Sequence, residues 1–152
     1  MLEAIRDFFH EVLAEPERRE RHHLTLELAT AALLCEVMRA DYEQTEAERS
    51  ALEQMLMTRY RLDGAQVAEL MALAEAEVEQ AVDHYQFVRL INDHYDYAKR
   101  CELVALMWRL AWADGTVDPL EEHRIRRLAD LLYVGHGDFI RAKLEAEKHR
   151  DA

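Results

Sequence analysis

The chain has little of what β architecture, disulfide scaffolds or long linkers require. Four glycines and two prolines in 152 residues supply too few turn-formers for an all-β domain. The two cysteines, Cys35 and Cys101, lie far apart and outside any CxxC spacing, so they read as small core residues of a reducing, cytoplasmic compartment. Ser50 is the one serine, and no nucleophile motif or phosphate-cradling glycine loop surrounds it or any other residue. Basic side chains are also scarce: 19 Lys and Arg against 31 Asp and Glu give a net charge of -12. That charge opposes nucleic acid and anionic membrane surfaces as partners. The most apolar run, Leu103 to Ala113, is broken by Arg109 and is far short of the roughly 20 residues of a bilayer span. Glu3, Arg6, Asp7 and Glu11 likewise interrupt the N-terminal segment, which reads as an amphipathic helix over about residues 2–14 rather than a signal peptide.

What is present is helical periodicity from end to end. Half of the residues are hydrophobic, and the length suits one domain over 1–152. Pro16 opens a helix whose apolar residues Leu26, Ala29, Leu33 and Val37 recur at helical spacing. Thr45 to Tyr60 repeats the pattern. After Gly64, the stripe Val67, Leu70, Met71, Ala74, Val78 and Ala81 is the cleanest in the chain. The stretch His84 to Tyr97 suits a short helix and a turn joining two halves. Leu103, Leu106, Met107 and Leu110 form a further stripe, then Ile125, Leu128, Ala129 and Leu132, with a last helix from about Asp138. The expectation is an all-α, compact bundle of about seven or eight helices.

Overlaying residues 32–67 on 105–140 at a constant offset of 73 places Ala32 on Ala105, Leu33 on Leu106, Ala40-Asp41 on Ala113-Asp114, and Glu48 on Glu121. Tyr60 then meets Tyr133 and Gly64 meets Gly137. The shared register of turns, glycines and apolar stripes indicates a duplicated helix-turn-helix unit, with halves over about 24–82 and 97–149.

Each half carries an Asp at the end of one helix and a Glu seven residues on, in the first turn of the next: Asp41 with Glu48, and Asp114 with Glu121. Helix geometry alone accounts for the glutamates, because Thr45-x-x-Glu48 and Asp118-x-x-Glu121 fit a capping box and Pro119 takes the first helical position. The aspartates fit less well, since a carboxylate at a helix C-terminus faces the negative end of the dipole. Arg39, Arg124, the N–H groups of the next helix or a bound cation would compensate. If the two turns meet, they offer up to four carboxylates, a hard oxygen site suited to Ca²⁺, Mg²⁺ or Mn²⁺. The Gly and Glu spacing does not fit an EF-hand, and only Glu20-Arg21-His22-His23 approaches a di-iron helix motif. His84, His94, His123 and His136 share no ligand spacing, and Trp108, Trp112 and the methionines read as core.

The segment from Leu110 through Ala113-Asp114-Gly115-Thr116-Val117-Asp118-Pro119-Leu120 to Glu121, followed by Asp138-Phe139-Ile140-Arg141-Ala142-Lys143, resembles the tellurite-resistance protein B (TerB) family. The first copy, Ala40-Asp41 through Thr45 to Glu48, resembles the family's degenerate N-terminal repeat, so the resemblance covers nearly the whole chain. It implies a small all-helical unit of duplicated design, found in bacteria alone or fused to other domains, with a stress-response or interaction role. It also implies metal chelation by the acidic turns, at Asp41, Glu48, Asp114, Glu121 and Asp118. Tyr42 and Thr45 stand where the second copy has Gly115 and Asp118, which weakens the first turn as a metal site. The leading expectation is a non-enzymatic cytoplasmic binding module that docks a basic protein partner through an acidic face. The alternatives are a metal-assisted hydrolase using Glu121 or Glu122, and a self-associating helical scaffold such as a homodimer.

Overall fold

The computed structural model describes residues 17–39, 46–80 and 85–151, with the side chains of all but 17–25, 80, 85, 114 and 149–151. The expected helix at 2–14, Asp41 and Thr45 lie outside the described residues. Seven α-helices occur within them: α1 (Glu17–Met38), α2 (Glu46–Tyr60), α3 (Gly64–Gln80), α4 (Tyr85–His94), α5 (Tyr97–Ala111), α6 (Pro119–Leu131) and α7 (His136–Asp151). A single 3-10 turn, η1 (Trp112–Asp114), extends α5, and the described residues contain no strand. None of the described helices is long and apolar enough to cross a membrane.

The helix starts follow from side-chain chemistry. Asp96 accepts from Lys99 N at 2.9 Å and caps α5. At α3, Gln66 N donates to Asp63 Oδ1 and Asp63 N donates to Gln66 Oε1, satisfying two end groups reciprocally. The last helix begins at His136, two residues ahead of the expected Asp138, with Phe139 N already bonded to Gly135 O.

The largest departure from the periodic reading is α1. Every residue from Leu28 to Met38 is buried, polar Thr30 and Glu36 included. Periodicity alone suggests a one-sided stripe; instead α1 is the central helix, in contact with α2, α3, α4, α5 and α6. Its small residues Ala29, Ala31, Ala32 and Cys35 let neighbours approach from several sides. The second half packs mainly through α5 against α7, where fully buried Trp108 meets Phe139 with ring centroids 5.4 Å apart.

The two halves run in register at the turns. At an offset of 73, the last residue of α1, Met38, falls on the last of α5, Ala111, and the first of α2, Glu46, on the first of α6, Pro119. The exits differ by one residue. Leu62 N bonds to Met57 O around left-handed Arg61, and Val134 N to Ala129 O around left-handed Tyr133, the 6→1 bond of a helix C-cap. Arg61 and Tyr133 are thus equivalent at an offset of 72, because α6 is shorter than α2. The Tyr60–Tyr133 match of the gapless overlay is therefore not a structural one.

Candidate functional site

The second acidic turn is the better described. After η1 the chain reverses at Gly115, whose φ of 93° lies in the left-handed region that a side chain disfavours, with Gly115 N donating to Trp112 O at 2.9 Å. The chain then passes Thr116 and Val117 to Asp118, the N-cap of α6. Asp118 Oδ1 accepts from Leu120 N at 2.8 Å, and Asp118 N donates to Glu121 Oε1 at 3.2 Å. The expected capping box is present, with Pro119 at the helix start.

Glu121 is only 1 % exposed, and Glu48, in the first turn of α2, is 0 % exposed. Carboxylates are seldom buried so fully. Both sit at the positive end of a helix dipole, in the first turns of α2 and α6. The helices bring the halves together crosswise: α2 packs on η1 and α1 packs on α6. The second acidic turn, through η1, therefore borders the first half of the protein.

The cations named as compensators have carboxylate partners. Arg124 Nη1 lies 3.5 Å from Glu36 Oε2, tying α6 to the central helix, and Arg39 Nη2 lies 3.9 Å from Glu79 Oε1. Arg49, next to Glu48, hydrogen-bonds Glu75 across to α3, and that bond raises the guanidinium's affinity for its proton. Beneath this network, burial and then the Glu75 charge push the Cys35 thiol up to about 12. Cys35 is accordingly a core thiol rather than a nucleophile at neutral pH. Glu122, the other glutamate considered for water activation, accepts from Lys143 Nζ at 2.8 Å.

Of the five site residues, Glu48, Asp118 and Glu121 are placed with their side chains, Asp114 by its backbone alone, and Asp41 lies outside the described residues. Among the described residues no three His, Cys, Asp or Glu side chains gather closely enough to hold a metal ion. Sequence reading missed Glu36, the buried acid that holds Arg124. Its one signal is a lone Glu inside the apolar run Leu33-Leu34-Cys35-Glu36-Val37.

Comparison with curated proteins and with solved structures returned no match. The family model described as "Tellurite resistance protein TerB" matches residues 27–144. The match begins in α1, ends in α7 and spans both acidic turns. The chain belongs to the TerB family.

Proposed function

We propose that this chain is a non-enzymatic binding module of the stress-response type, whose paired acidic turns take a divalent cation and whose acidic surface docks a basic protein. The supporting observation is the burial of Glu48 and Glu121, at equivalent positions of the two halves and in helices that cross between them. In this reading Asp41 and Asp114 supply oxygen ligands. Glu48, Glu121 and Asp118 supply negative charge from the helix starts. The donors are all oxygen, which favours Ca²⁺, Mg²⁺ or Mn²⁺ over Zn²⁺. The net charge of -12 favours cations and basic partners alike.

The test is thermal unfolding of the wild type and of Asp114→Asn with each ion. An ion at a hundredfold excess over its Kd stabilises by about 2.7 kcal/mol, which for a domain of this size raises the melting temperature by about 5–10 °C. A rise in the wild type that Asp114→Asn abolishes supports the site. No rise with any ion, or an equal rise in the variant, removes metal from the function and leaves protein docking.

A further inference from the structure

We draw no further inference here: the strongest candidate, the open cleft of about 780 Å³ between α1, α2 and α5, sets Glu27 and Glu102 beside Lys99 and Arg109 along its walls, so its charges favour no one class of ligand, and nothing in the structure shows what occupies it.

Discussion

Gly115 offers the sharpest test of the acidic turn, because its role is confined to the backbone. Its φ is 93°, and a Cβ built there meets nothing within 4 Å. Gly115→Ala therefore adds no clash, only conformational strain. An L-residue in the left-handed region costs about 1–2 kcal/mol, and this φ lies well beyond the centre of that region near +57°, so the upper end applies. For a domain of this length about 2 kcal/mol lowers the melting temperature by about 4–8 °C.

Two controls isolate the cause. Gly115→Asn, whose side chain tolerates left-handed geometry, recovers part of the loss. Gly137, inside α7 and also with open space around it, gains up to about 1 kcal/mol on replacement by Ala through helix propensity. Urea unfolding with an unchanged m-value measures all three. A Gly115→Ala protein as stable as the wild type, or a loss at Gly137 of the same size, refutes the left-handed turn.

The remaining predictions concern the helix start and the buried thiol. Asp118→Ala removes the N-cap of α6 and costs about 1 kcal/mol in urea unfolding, whereas Glu121→Gln keeps an acceptor for Asp118 N and costs less than Glu121→Ala; the reverse order would deny the capping role. For Cys35 the folded state holds the proton to about 12 against an ordinary 9.0. The stabilising contribution is thus complete below pH 9 and is lost as pH rises toward 12, by about 1.4 kcal/mol per pH unit. Denaturation between pH 8 and 10.5 tests this: Cys35→Ala flattens the slope, and an unchanged slope would place the titration elsewhere.

Local chemistry makes most of the helical architecture legible, and long-range packing hides the rest. Pro119, the Asp118-x-x-Glu121 box and the apolar stripes suffice to place α6 and its start. Arg61 and Tyr133 are opaque because neither residue type announces a left-handed C-cap; the conformation is imposed by the 6→1 bonds at Leu62 and Val134. The enclosure of α1 is hidden for a different reason. A run such as Ala31-Ala32-Leu33-Leu34-Cys35 satisfies a one-sided stripe and an all-round core equally well, and only the neighbours decide between them. The cleft joins residues up to 82 positions apart, from Glu27 to Arg109, and its one local signature is the spacing of charged and apolar residues along α5.

The burial of Glu48 and Glu121 changes which residue answers the metal question. A buried carboxylate normally needs a positive partner, and a metal ion would serve. A helix start already supplies one, through its dipole and its free N–H groups, and Glu121 uses that supply in its bond from Asp118 N. Glu48 likewise lies in the first turn of a helix, α2. Capping thus holds Glu121 whether or not a cation is bound. The dipole at the end of the preceding helix has the opposite sign and gives an aspartate there no such support. The ion response of Asp114→Asn therefore separates a metal-holding turn from one built by helix capping, whereas a loss of stability in Glu121→Ala is expected in both.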